Sequence, residues 1–152
     1  MTTWSARLVE LGLTLPPVAA PLAAYVPAVR SGAQVFTSGQ LPFVDGVLAA
    51  TGKVGAQVSA EQGKELARTC ALNALAAVHA LVGIDSVVRV VKVVGYVASA
   101  EGFTGQPGVV NGASELLGEV FGEAGVHARS AVGVAELPLG SPVEVELVVE
   151  VR

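Results

Sequence analysis

The chain has 152 residues, a length that suits one domain with a core of its own. Hydrophobic residues make up 52% of it and charged residues only 14%, yet no apolar run reaches the roughly 18 residues of a membrane span. A net charge of −4 and thinly spread Lys and Arg exclude the basic stripe of a nucleic-acid binder. So low a charge content points to an oligomer whose subunits bury apolar faces against one another. The start, MTTWSARLVE, lacks the apolar stretch of a secretory leader, so a cytoplasmic location is the expectation. Cys70 is the only cysteine, which rules out an intrachain disulfide and a cysteine-based metal cluster.

In chain order, WSARLVELGL predicts a short helix with Trp4, Leu8 and Leu11 on one side, and the prolines of LPPVAAPLAA hold the next stretch extended. Residues 1–24 therefore read as an N-terminal extension packed on the rest of the domain. Two strands are expected over Tyr25–Val29 and Gln34–Ser38, joined at Ser31-Gly32. Turn signals come next at Asp45-Gly46 and Thr51-Gly52. Ser59 opens the capping box SAEQ, and apolar residues then recur at helical spacing from Ala60 to Val82, where Gly83 stops the helix. Cys70 falls on its apolar side as a core filler.

Ser86–Ser99 is rich in valine without clean alternation, which predicts a central strand covered on both faces. GFTGQPG reads as a loop, and Val109–Phe121 as a second amphipathic helix. The last strands are expected over Ser130–Glu136 and Val143–Val151, across LPLGSP. In the final strand Val143, Val145, Leu147, Val149 and Val151 alternate with Glu144, Glu146, Val148 and Glu150, so one face is core and the other polar. In the strand before it, Arg129, Ala131, Gly133 and Ala135 share a face whose small side chains permit close backbone approach. The order β-β-(β)-α-β-α-β-β, with no repeat and no linker, gives one α+β domain over residues 1–152.

Several familiar sites are absent. TGKVG lacks the hydroxyl residue and the earlier glycine of a phosphate loop, and Ser38 in TSGQ lacks the flanking glycines of a nucleophile elbow. His79 and His127 stand in separate elements without carboxylates or a thiol at metal-ligand spacing. His79 reads as a helix-surface residue, while His127 sits beside Arg129. What remains is Tyr25, Ser38, Asn111, Arg129 and Glu144, scattered at element ends, and spacing alone gives no reason to combine them. Arg129, at the head of HARSAV, is either a strand-end charge reaching water or an anion hook.

YVPAV, FTSGQLP, VNGASELLGEVF and ARSAVGVAELPLGSPVEVELVVEV together resemble the RidA (YjgF-like) family of imine/enamine deaminases, also labelled endoribonuclease L-PSP. The likeness covers roughly residues 20–152. It implies a chorismate-mutase-like mixed sheet with two helices on one face, assembled as a barrel-like homotrimer with clefts between subunits. It also implies hydrolysis of small carboxylate-bearing imines and enamines of the 2-aminoacrylate type to 2-keto acids and ammonia, with no cofactor and no metal. By this resemblance Arg129 holds the substrate carboxylate and Glu144 positions or activates water. Tyr25, Ser38, Gly39 and Asn111 line the cleft, and Gly39 is suited to offering a backbone N–H at close approach. His127 stands where a proline is usual, Ala131 where a cysteine is frequent, and the N-terminus and two loops are longer than usual. No partner nucleic acid or membrane is implied. A non-catalytic carboxylate-binding trimer is the alternative reading, and the endoribonuclease label conflicts with the acidic charge balance.

If the last two strands form a direct hairpin, Arg129 pairs near Glu150 and Glu144 near Ala135, which separates Arg129 from Glu144 by roughly 20 Å. Either the two do not share a site, or a neighbouring subunit brings one of them in.

Overall fold

The structure is a computed structural model describing residues 2–18 and 23–152. The extended run expected over residues 15–24 lies partly outside the described residues. Helix α1 (Trp4–Glu10) is capped by Thr3, whose side chain accepts from the Ala6 N–H. It docks by three contacts: Leu8 is buried, the Trp4 ring meets Phe121 edge-on at 5.1 Å, and Trp4 Nε1 donates to the Val87 carbonyl at 2.8 Å. Ser5 adds two hydrogen bonds from its hydroxyl and N–H to the Asp85 carboxylate, and these hold the Asp85 carboxyl below its ordinary range.

Strands β1 (Ala28–Ser31) and β2 (Gln34–Thr37) form the first hairpin. Strands β3 (Phe43–Val44) and β4 (Val47–Leu48) form a second, two-residue hairpin outside the main sheet. Its turn residues Asp45 (φ 51°) and Gly46 (φ 77°) both lie in the left-handed region that a tight type I′ turn demands. Helix α2 runs Ala60–Val82 as the periodicity predicts, with the Ser59 hydroxyl accepting from the Gln62 N–H and the chain leaving at Gly83. Strand β5 (Val87–Ala98), helix α3 (Gln106–Phe121), strand β6 (Ala128–Val134) and strand β7 (Val143–Val151) complete the order. Helix α3 starts three residues earlier than its apolar pattern suggests, because Pro107 fits the first helical turn, where no N–H is needed.

The main sheet has the order β1-β2-β7-β5-β6, with β5 and β6 parallel and every other pair antiparallel. The expected β6–β7 hairpin is therefore not formed. Helix α3 is a crossover between β5 and β6 that lays β6 parallel to β5 on the outer edge. The chain then passes over the end of β5 through a turn at Pro138–Gly140, and β7 enters between β5 and β2.

Helices α2 and α3 cover one face of the sheet, where Val143, Val145, Leu147, Val149 and Val151 of β7 are buried beside Val90, Val93 and Val97 of β5. Cys70 is fully buried in this layer, and burial pushes its thiol well above the ordinary range, as befits a core side chain. The other face carries Glu144, Glu146, Val148 and Glu150, all half-buried, with Phe36 and Val132 exposed. Strand β5 is thus not covered on both faces within the chain, as its valine content suggested. Its broken alternation comes instead from register shifts between Val87 and Arg89 and between Val90 and Lys92, which reset which side chains face the helices. The small-residue face of β6 is approached not by backbone but by side chains: a Cβ at Gly133 would lie 2.7 Å from Gln106 Nε2 and 3.0 Å from Ser99 Oγ.

Helices α2 and α3 cross closely at Gly112, where an added Cβ would stand 1.8 Å from the backbone oxygen of Lys64. Exposed ion pairs Lys64–Glu115 and Arg68–Glu119 flank the crossing and contribute little by themselves. Among the described residues no helix is long and apolar enough to cross a membrane. The crossing predicts that Gly112→Ala, which must force two backbones apart, lowers unfolding free energy by about 3 kcal/mol or more. Gly118→Ala on the same helix meets nothing within 4 Å and raises it by roughly 0.5–1 kcal/mol. Urea melts of the two variants beside the parent measure both.

Candidate functional site

Two groups of the residues singled out from the sequence stand at two places in the chain. The first is built on β6 and α3. Arg129 pairs with Val93, a core residue, so its side chain rises on the helix-covered face and lies along α3. Arg129 Nη1 donates to Asn111 Oδ1 at 2.7 Å and to Ser114 Oγ at 3.2 Å, and Nη2 donates to the Pro107 carbonyl at 3.3 Å. Asn111 and Ser114 lie three apart and Pro107 and Asn111 four apart, which puts all three on one helix face. Of the five guanidinium N–H donors, three are used and two, Nε–H and one Nη2–H, have no partner among the described residues. Ser114 in turn contacts His127 Nε2 at 2.8 Å, and His127 Nδ1 contacts the Gly125 carbonyl at 2.6 Å.

The second group is built where β2 leaves the sheet beside β7. Ser38 Oγ donates to the Val26 carbonyl at 2.6 Å and Ser38 N–H to the Pro27 carbonyl at 2.8 Å, which anchors the half-exposed Tyr25 segment next to it. Gly39 backs directly onto Glu144: a Cβ there would lie 2.4 Å from Oε1. Only a residue without a side chain leaves that space to the carboxylate. Burial, and then the neighbouring Glu146, raise the Glu144 carboxyl above its ordinary range. Glu146 accepts from the Tyr96 hydroxyl at 2.6 Å, and that hydrogen bond is the largest of the causes that push the phenol up to about 12.

The register also fixes how the two groups relate. Glu144 pairs with Tyr96 and Arg129 with Val93, two strands and three positions apart, or about 14 Å across the sheet. Val93 faces the helices, whereas Tyr96 and Glu144 lie on the open face. Arg129 and Glu144 therefore point to opposite sides of one sheet. The separation inferred from a hairpin was too long because there is no hairpin, but the side chains are divided all the same, by the sheet itself.

Sequence reasoning missed Ser114, Tyr96 and Glu146 and left His127 without a role. Ser114 was within reach of it, since its spacing from Asn111 places both on one turn of a helix already expected there. Tyr96 was hidden because the valines around it occur on both faces of β5 and leave no alternation to show which side it takes. His79, expected on a helix surface, is exposed and accepts the Ile84 N–H at the end of α2.

The family described as "YjgF/chorismate mutase-like, putative endoribonuclease" matches residues 5–151. Protein TCP17 of Trypanosoma cruzi is 48% identical over 150 residues, which cover 97% of this chain and 94% of that protein. A crystal structure of a "putative endoribonuclease" from Shewanella oneidensis MR-1 is 36% identical, with a TM-score of 0.94 over 99% of this chain and 100% of that one. The RidA structure from the Antarctic bacterium Psychrobacter sp. PAMC 21119 is 27% identical, with a TM-score of 0.64 over 88% of this chain and 94% of that one. The chain belongs to the YjgF/RidA family, and its α+β architecture with a mixed sheet is that family's chorismate-mutase-like fold.

The Glu144 environment has a consequence for stability. A carboxyl whose folded pKa lies above its unfolded one opposes folding once ionised; the penalty is absent at low pH and grows as pH rises through the folded pKa. Glu144→Gln is accordingly expected to melt higher than the parent at pH 7, with the gap closing as pH falls toward about 4. Thermal melts across that range measure it, and a gap that widens on acidification contradicts the assignment.

Proposed function

We propose that the protein is a hydrolytic deaminase of imine and enamine intermediates of the 2-aminoacrylate type, working as a homotrimer with a cleft at each subunit interface. The observation that carries this reading is the Arg129 guanidinium, which is fixed by three hydrogen bonds along α3 and still has two donors on adjacent nitrogens to offer. Such a planar fork suits the two oxygens of a substrate carboxylate. Net charge −4 weighs against the endoribonuclease description attached to the family, since a phosphate backbone calls for a basic surface.

In this reading Arg129 of one subunit and the Ser38–Gly39–Glu144 group of the next face the same cleft, because one chain holds them on opposite sides of its sheet. The open sheet face with exposed Phe36 and Val132, and the unpaired outer edge of β6, are surfaces that a neighbour covers. Asn111 supports Arg129, and Tyr25 with Ser38 and Gly39 closes the wall behind the substrate.

The chemistry follows from the substrate. Protonation of the enamine at its β-carbon by a solvent proton gives the protonated imine, whose central carbon is electrophilic. The carboxylate held on Arg129 places that carbon beside a water oriented by Glu144. As the water oxygen bonds to carbon, the C=N π pair moves to nitrogen and the water's proton passes to Glu144. Glu144 returns that proton to nitrogen, the C–N bond breaks with its electron pair leaving on ammonia, and the remaining hydroxyl proton passes to Glu144 as the O–H pair forms the carbonyl of the 2-keto acid. Burial holds the Glu144 carboxyl above its ordinary range, which makes its carboxylate a better proton acceptor than an exposed one.

The test is ammonia release from enzymatically generated 2-aminoacrylate. Arg129→Ala is expected to reduce kcat/KM by at least about a hundredfold while the assembly persists. Glu144→Gln is expected to lose kcat by a similar factor and to retain pyruvate binding. Full activity in Arg129→Ala overturns the proposal. Pyruvate binding without turnover in the parent chain would instead mark a non-catalytic carboxylate binder. Sedimentation of the parent chain as a monomer at micromolar concentration would remove the shared cleft.

A further inference from the structure

The pair His127–Ser114 touches Arg129 and takes no part in the mechanism above. For a neutral His127 ring the order of its hydrogen bonds follows from the partners. The Gly125 carbonyl can only accept, so the proton of a neutral His127 ring sits on Nδ1, which donates to it at 2.6 Å. Nε2 is then a bare lone pair, and the Ser114 hydroxyl donates to it at 2.8 Å. With its proton committed to the ring, Ser114 turns an oxygen lone pair toward Arg129 Nη1, which donates to it at 3.2 Å. The Asn111 carbonyl takes the second Nη1 proton at 2.7 Å.

The far end of this chain of hydrogen bonds is itself tightly packed. Gly125 closes the short turn Gly122–Gly125 after α3, and a Cβ there would stand 2.3 Å from the Leu117 oxygen, so the turn is pressed onto the helix. A rigid carbonyl thus fixes the tautomer of His127, the tautomer fixes the rotation of the Ser114 hydroxyl, and that rotation supplies the acceptor for Arg129. An arginine has many rotamers, and a carboxylate that binds it must order them; an arginine held in advance spares that loss.

We infer that His127 and Ser114 are positioning residues of the carboxylate site, a tether from the Gly125 carbonyl that holds the Arg129 guanidinium along α3 with its free donors toward the ligand. The inference rests on the reading of Arg129 as the carboxylate holder. It assigns a role to the histidine that replaces the residue usual at this position, and it requires a neutral, Nδ1-protonated ring.

Two measurements test it. Long-range 15N–1H NMR of the parent chain at neutral pH is expected to find His127 with its proton on Nδ1. A ring protonated on Nε2 alone overturns the inference, and this result does not depend on any variant folding. In the second, Ser114→Ala and His127→Asn are expected to raise KM for 2-aminoacrylate and Kd for pyruvate about tenfold, the loss of one hydrogen bond to a charged group, with kcat within about twofold of the parent. His127→Gln, whose amide oxygen can take the place of Nε2 as acceptor for Ser114, is expected to recover most of that loss. Equal losses in His127→Gln and His127→Asn, or a fall in kcat with KM unchanged, overturn the positioning role. Arg129→Ala measured alongside separates the two levels. If it binds pyruvate like the parent, the carboxylate reading fails; if it does not, and Ser114→Ala binds normally, only the tether fails.

Discussion

The strict alternation of β7 is the constraint on which the rest of the molecule depends. Five aliphatic side chains on one face of nine residues demand a helical layer above them, and the intervening glutamates keep that layer off the other face. A strand so polarised, placed between β2 and β5, makes the whole sheet one-sided. Helices α2 and α3 then crowd together on the apolar face, closely enough that Gly112 lies against the backbone of α2. A one-residue slip in β7 would send its glutamates under the helices, so its register carries a large penalty against error.

One-sidedness also divides the chemistry. Arg129 is on the helical side because its strand pairs in parallel with β5 at Val93, and Glu144 is on the open side because it belongs to the polar set of β7. A guanidinium bound to helix α3 and a half-buried carboxylate beside Gly39 make no site within a single chain. Each is nevertheless shaped in advance. Asn111, Ser114 and the Pro107 carbonyl hold the cation, and the missing side chain of Gly39 leaves room for the anion. In the proposed homotrimer these would be the two halves of one cleft, and the exposed apolar residues of the open face would be covered by a neighbour.

Much of the fold was legible in the residues. The capping box at Ser59 and the stop at Gly83 bound α2 to the residue, and the period of two marked both faces of β7. These features are local: a cap and an alternation act over a few residues, so composition and spacing suffice to find them. The misreadings were not local. The valine-rich β5 seemed doubly covered because bulges imitate the loss of alternation that burial produces. The hairpin expected across LPLGSP does not form because adjacency in sequence does not dictate adjacency in the sheet: the crossover helix α3 fixes β6 on the far side of β5. Of the candidate site, Tyr25, Ser38, Gly39, Asn111, Arg129 and Glu144 were nameable through family resemblance, but Ser114, Tyr96 and Glu146 were not.

The sequence by itself determined the element types, the polarity of β7, the acidic balance that disfavours nucleic acid, and a motif set that resembles one family. Only the tertiary structure decided which strand neighbours which, and hence that Arg129 and Glu144 face opposite sides. Only it could join His127 to Arg129 through a serine thirteen residues away from the histidine. The physical reason is range. Propensity, capping and alternation are written in neighbouring residues, while strand order and hydrogen bonds between a strand and a crossover helix arise from packing the whole apolar face at once.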